Sequence, residues 1–139
     1  MKYKTRLIYE NTYSIEQKAM GSSCLSYLLL GKEKSLLIDN GFSDPGLKGE
    51  VARFAKGDIA VVNTHAHLDH LGNNHEFDVC YMSPKDEETR ILHTNAQYLS
   101  QRILAFPWFF RFLLRKEIKN ILNTHPEKVY IPICDGQTI

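Results

Sequence analysis

Between residues 65 and 70 the chain reads His65-Ala66-His67-Leu68-Asp69-His70, which places three imidazoles and one carboxylate within six residues. Neutral imidazole nitrogens and carboxylate oxygens are the usual ligands of zinc and neighbouring transition metals. The spacing matters as much as the residue types. In an extended segment, side chains two residues apart leave the backbone on the same side, so His65 and His67 can grip one ion. Asp69 and His70 follow as the chain turns and can face a second ion beside the first. The competing reading is a polar loop of unrelated histidines; so many ligand types in so short a stretch favour the metal site.

These residues need a scaffold, and the flanking pattern supplies one. The apolar run Ile59-Ala60-Val61-Val62 leads into the motif and reads as a buried strand over residues 58–63 that delivers the histidines from its C-terminal end. Upstream, residues 4–9 and 12–17 read as short strands around a turn at Glu10-Asn11. Residues 22–30 and 35–39 follow as two more, separated by the polar turn Gly31-Lys32-Glu33-Lys34. This succession predicts a mostly antiparallel sheet of hairpins. Residues 45–55 form a short helix candidate, with Leu47, Val51 and Phe54 at helical spacing. Residues 79–82 read as another strand. Ser83-Pro84-Lys85-Asp86 is a helix start, with Ser83 as cap, Pro84 at the first helical position and acidic residues in the first turn. That helix is expected to run through Leu99, with a second from Pro107 to before Pro126. Residues 129–133 give a last strand, and Asp135-Gly136 a tight turn.

Composition narrows the function classes. A chain of 139 residues, 43% hydrophobic and 24% charged, can bury a sizeable core as one soluble domain. A net charge of +1 gives no reason to expect nucleic acid or an anionic membrane as partner. Cys24, Cys80 and Cys134 are odd in number, far apart and in no CxxC pair, which reads as free thiols in a reducing, cytoplasmic setting. The basic N-terminus has no apolar run of signal-peptide length after it, and Arg102, Arg111 and Arg115 interrupt the most apolar stretch.

Two stretches together point to a family. Asp39-Asn40-Gly41 closes one apolar strand, and Asn63-Thr64-His65-Ala66-His67-Leu68-Asp69-His70-Leu71-Gly72 closes a later one. Their order, interval and strand context resemble the first two motifs of the metallo-β-lactamase superfamily, and the similarity extends over essentially the whole chain. Two departures stand beside the ligands: Asn40 where Thr is common, and Asn73 where a second Gly often follows. The resemblance implies an α/β fold, the N-terminal half of an αββα sandwich with a mixed, largely antiparallel sheet and helices. It implies a metal-dependent hydrolase, with one or two zinc ions (iron or manganese being alternatives) held by His65, His67, Asp69 and His70. Metal-activated water would attack a small-molecule ester, thioester, lactone or phosphodiester. Asp69 would bind the second metal and orient that water, or act as general base beside a single metal. Asp39 would orient a ligand imidazole or the motif backbone; its plainer role is a strand-end carboxylate capping the next turn. Lactamases, thioesterases, nucleases and sulfur dioxygenases share the motif, so an iron-dependent sulfur dioxygenase is an alternative and the substrate is open.

In that family the second half brings a further His, a bridging Asp and a last His, none of which is recognisable here. The expectation is a domain over residues 1–139 that is truncated before its second set of metal ligands, each site then being at least one protein ligand short of the usual three. An inactive remnant with weak metal binding is the other reading. Exposed apolar side chains are expected among residues 25–30 or 129–133, where half a sandwich lacks its cover. The remaining candidates read as non-ligands: His75 facing solvent, His93 a partly buried structural histidine, His125 at a helix end, Cys80 and Cys134 small buried thiols. Finally, residues 98–123 are dense in aromatic and aliphatic side chains, including Phe106-Pro107-Trp108-Phe109-Phe110. Core packing or a homodimer face is the first reading, a lid over an apolar pocket the second, a membrane-surface helix the last.

Overall fold

The computed structural model describes residues 3–19, 22–113, 115, 119 and 130–139. Seven strands form one sheet in sequence order: β1 (Tyr3–Tyr9), β2 (Thr12–Ala19), β3 (Ser22–Leu30), β4 (Lys34–Ile38), β5 (Asp58–Asn63), β6 (Val79–Met82) and β7 (Ile131–Pro132). The β1–β2, β2–β3 and β3–β4 pairs are antiparallel, whereas β4–β5, β5–β6 and β6–β7 are parallel. The four strands read as hairpins are thus antiparallel neighbours throughout, and the later strands add three parallel pairs that make the sheet mixed. Alternation of side chains identifies a strand but not the direction of its neighbour. That is set here by the crossover through α1 (Leu47–Ala52), which carries the chain from the end of β4 back to the start of β5.

Alternation puts Cys24, Ser26 and Leu28 of β3 on the buried face and Leu25 and Tyr27 on the other. In register on the buried face, Leu28 faces Leu37, Leu37 faces Val61, and Val61 faces Cys80. With Ile15, Phe77 and the Leu47–Val51 stripe of α1 they make the main core. Each is 0–2% exposed, and burying an aliphatic or aromatic side chain this fully stabilises by about 1.5–3 kcal/mol. A smaller cluster of Ala66, Leu71 and Met82, joined by Tyr130, sits beneath the histidine motif.

One helical expectation needs correction. The helix foreseen from residue 83 through Leu99 is a 3-10 turn over Pro84–Asp86 followed by two helices, α3 (Glu87–Thr94) and α4 (Ala96–Leu104). Asn95 makes the break: its backbone is extended (φ −74°, ψ 117°) and its side chain accepts a hydrogen bond from Tyr98 N, so it caps α4. After Pro107, α5 covers Trp108–Leu113. The expected continuation toward Pro126, with Ile118, Ile121, Leu122 and His125, lies outside the described residues, as does residue 129 of the last strand. Core packing does not account for the aromatic run: Phe106, Trp108, Phe109, Phe110 and Phe112 are 44–75% exposed. Among the described residues no helix is long and apolar enough to cross a membrane.

Candidate functional site

β4 and β5 lie side by side and parallel, so the segments leaving their C-terminal ends emerge together. At such an end the ladder stops, leaving room for side chains to converge on a ligand. Asp39 follows β4 and the histidine motif follows β5. Asp39 takes the left-handed conformation (φ 56°), which Asp tolerates better than most residues, and so turns its carboxylate toward the neighbouring motif. There Oδ1 accepts from Thr64 N at 2.8 Å, while Oδ2 accepts from Thr64 Oγ1 at 2.8 Å and from His70 Nδ1 at 2.8 Å. Both readings of Asp39 from the sequence placed it at the motif or at its own turn; its side-chain bonds go to the motif.

These bonds fix two imidazole tautomers. A carboxylate only accepts, so His70 Nδ1 carries the proton and Nε2 the lone pair. The single Thr64 hydroxyl proton goes to Asp39, so toward His65 Nδ1, 3.1 Å away, Thr64 Oγ1 is the acceptor. His65 is thereby also protonated at Nδ1 with a free lone pair on Nε2. Asp69 Oδ2 lies 3.5 Å from His70 Nε2.

The rings converge as the two-residue spacing anticipated. His65 and His67 stand edge to face with centroids 4.6 Å apart, and His65 and His70 are 4.0 Å apart. His67 ends the extended segment as the cap of α2 (Leu68–Leu71), which carries Asp69 and His70. Burial lowers the pKa of His65, and the positive charge that His70 and His67 would carry lowers it further, against the opposing pull of Asp39 and Asp69. A neutral imidazole is the form that binds a metal.

The loop beneath is held by asparagines, a layer the sequence reading registered only as departures at Asn40 and Asn73. Asn40 N and Asn63 Nδ2 both donate to His70 O, at 2.9 and 2.8 Å. Asn73 donates from Nδ2 to Asn40 O and Phe42 O, and Asn40 Oδ1 accepts from Asn73 N. Asn40 Nδ2 donates to Asn74 Oδ1, and Asn74 Nδ2 to Asn63 Oδ1 and Tyr130 Oη. Buried polar groups need partners, and these four supply one another and the backbone of both loops. Their signal was the run of Asn residues flanking the motif, whose short amides suit bonds to irregular backbone.

The other candidates fall outside the cluster or beside it. His75 is half-buried rather than solvent-facing, with a buried Nδ1 that has no hydrogen-bond partner among the described residues. Cys80 is buried and donates to Asn74 O, whereas Cys134 is exposed, not buried as its strand context suggested. Cys24 is buried on β3, where burial and then the Asp69 charge push its thiol up to about 11. His93 is drawn into the cluster, its ring stacked on that of His67 at 4.7 Å. Tyr98 of α4 lies 5.6 Å from the His93 ring, beside a groove of about 460 Å³ lined by Tyr98, Gln101, Arg102, Ala105, Phe106 and Pro107. Among the described residues no group of three or more His, Cys, Asp and Glu side chains is arranged to hold one ion.

The chain is similar to a beta-lactamase domain protein from Burkholderia ambifaria with a TM-score of 0.62, at 16% identity, covering 98% of this chain and 46% of that one. The fold is that of the metallo-beta-lactamases. Residues 19–79 match the family described as the metallo-beta-lactamase superfamily. A metallo-beta-lactamase from Pseudomonas aeruginosa, in its mono-zinc form, is similar with a TM-score of 0.54 and 16% identity over 65% of this chain and 46% of that one. Another from Erythrobacter litoralis gives 0.53 and 21% over 64% and 45%. The chain thus spans about half the length of the metallo-beta-lactamase-fold structures it matches. No curated protein gives a significant match.

Proposed function

We propose that this chain is part of a zinc-dependent hydrolase in which His65 and His67 hold one ion, and Asp69 and His70 a second. The observation that carries this reading is the convergence of the His65, His67 and His70 rings beyond the end of β5, with Nδ1 of His65 and of His70 turned to Thr64 and Asp39. The superfamily match over residues 19–79 supports it. The donor set fits zinc in chemistry and falls short of it in number, two donors per ion against the usual three. Bound zinc would lower the pKa of a water molecule to about 7.

The chain's own residues then divide the work. Asp39 and Thr64 hold His65 and His70 in one tautomer and one orientation. Asp69, with a side chain 40% exposed, would orient the water from its place on the second ion, or act as general base if a single ion is bound. The substrates we propose are small molecules with a hydrolysable ester, thioester, lactone or phosphodiester bond. Manganese would suit the same donors, and iron would point to persulfide oxidation instead; elemental analysis of protein grown with all three metals separates these readings.

A second reading has its own observation. Because the described residues hold no three-donor group, a remnant that binds metal weakly and turns over nothing accounts for the same geometry. Calorimetric titration of the 139-residue chain with zinc is the test. Weak binding that His67→Ala abolishes supports the incomplete hydrolase site, and activity should then appear only with further ligands from a longer domain. A longer domain that gains no activity favours the remnant, and absence of any zinc-dependent heat would overturn both readings. Nanomolar affinity would mean that another residue of this chain completes the site.

A further inference from the structure

We propose that His93 is a positioning residue: from α3 it clamps the His67 imidazole by stacking on its face, and so sets the direction in which His67 offers its nitrogens. This rests on the metal-site reading for its purpose, though not for its geometry.

The three motif rings are not secured alike. His65 and His70 each have a polar partner at Nδ1, Thr64 and Asp39 respectively. His67 has no ring hydrogen bond among the described residues, although it stands at the mouth of the site and is exposed. A ligand imidazole ordinarily has its second nitrogen tied to an oriented acceptor, which fixes ring rotation. In its place His67 has a ring: His93 lies 4.7 Å away with the planes inclined by only 23°. Stacking acts on the ring face and leaves both in-plane nitrogens of His67 available. The same geometry rules His93 out as a second donor to the same ion, because lone pairs in nearly parallel, stacked planes do not converge.

The clamp is itself braced. His93 is partly buried near the end of α3. Tyr98 of α4 stands 5.6 Å from its ring, with the start of α4 fixed by the Asn95 cap. A break in the helix that the sequence did not suggest thus lies between His93 and Tyr98, whose rings are in contact across it.

The test uses the 139-residue chain and its His93→Ala, His93→Phe and His93→Ala/His67→Ala variants, with folding checked by circular dichroism. The readouts are the imidazole proton resonances and calorimetric titration with zinc alone. In His93→Ala the His67 ring protons should lose the upfield displacement that a stacked ring causes, and zinc affinity should fall by about tenfold or more, as for other groups that orient a ligand. His93→Phe keeps a ring but no nitrogen, and should restore both. The double variant should bind zinc no more weakly than His67→Ala alone. Unchanged His67 resonances and affinity in His93→Ala would overturn the clamp. So would a phenylalanine variant as weak as the alanine one with the stack intact, since the His93 nitrogens would then be what matters. If no variant, nor the parent chain, binds zinc while the resonance changes occur as described, the clamp stands and the metal reading fails.

Discussion

A single carboxylate organises the site, and its substitution separates charge from backbone conformation. Asp39 needs a residue that accepts a left-handed φ of 56°, and Asn accepts it as readily as Asp. Asp39→Asn therefore keeps the turn but places an amide where Oδ2 receives both the Thr64 hydroxyl and His70 Nδ1–H. We expect about 1–3 kcal/mol of destabilisation in urea unfolding, from a buried donor left facing donors. No change would reduce Asp39 to an ordinary turn residue. Two apart in sequence, His65 and His67 were legible as a pair before any coordinates. Thr64 and His93 were not, because a hydroxyl and a helical histidine become informative only once something is seen to touch them.

Elements meet here through backbone as closely as through side chains. Gly72 N donates to Gly41 O at 2.9 Å, joining the end of the motif to the loop after β4. A Cβ on Gly72 would lie 2.3 Å from Ser43 N and 2.6 Å from Phe42 C, both backbone atoms that cannot rotate away. Gly72→Ala should cost about 3 kcal/mol or more, the upper range for overpacking, and its thermal transition should drop accordingly. A wild-type transition would show that the two loops separate freely. Helix α1 is tied to the first strand by Glu50, which accepts from Thr5 Oγ1 at 2.6 Å and from Arg53 Nη1 at 2.7 Å. Burial raises the Glu50 pKa, but the Thr5 and Arg53 bonds outweigh it and the net shift is downward from 4.5. Between the lowered value and 4.5 the unfolded chain binds more protons, so stability rises with pH through that window. The contribution is present above pH 4.5 and is lost as the pH falls through the folded-state value. Glu50→Gln should thus cost about 1 kcal/mol at pH 7 and progressively less in acid; a difference independent of pH would assign the effect to packing.

The molecule as a whole leaves one face of its sheet thinly covered. Leu25 is 49% exposed, Tyr27 37% and Ile131 43%, as expected for the strands named from the sequence. With the aromatic surface of α4 and α5 also open, this much exposed apolar area predicts association at moderate concentration. Sedimentation velocity should show it, and Leu25→Lys with Ile131→Lys should shift the distribution toward monomer without lowering the thermal midpoint. A parent chain that sediments as a single monomeric species would contradict this, as well as the homodimer suggested for residues 98–123.

The strands, the α1 stripe of Leu47 and Val51, the order Asp39 before the histidines, and the ligand types were all determined locally. Two-residue and helical periodicities are properties of adjacent residues, and a motif of six carries its own geometry. What the tertiary structure decided was every relation between distant segments. The parallel pairing of β4 with β5 brings Asp39 to Thr64 and His70, and no local pattern encodes a strand's partner. The Asn95 break became a cap only because the amide side chain met Tyr98 N rather than letting the helix run on. His93, 26 residues beyond His67 by the numbering, meets the motif only through the tertiary contact of its ring with that of His67. Periodicity locates faces; only packing chooses which faces meet.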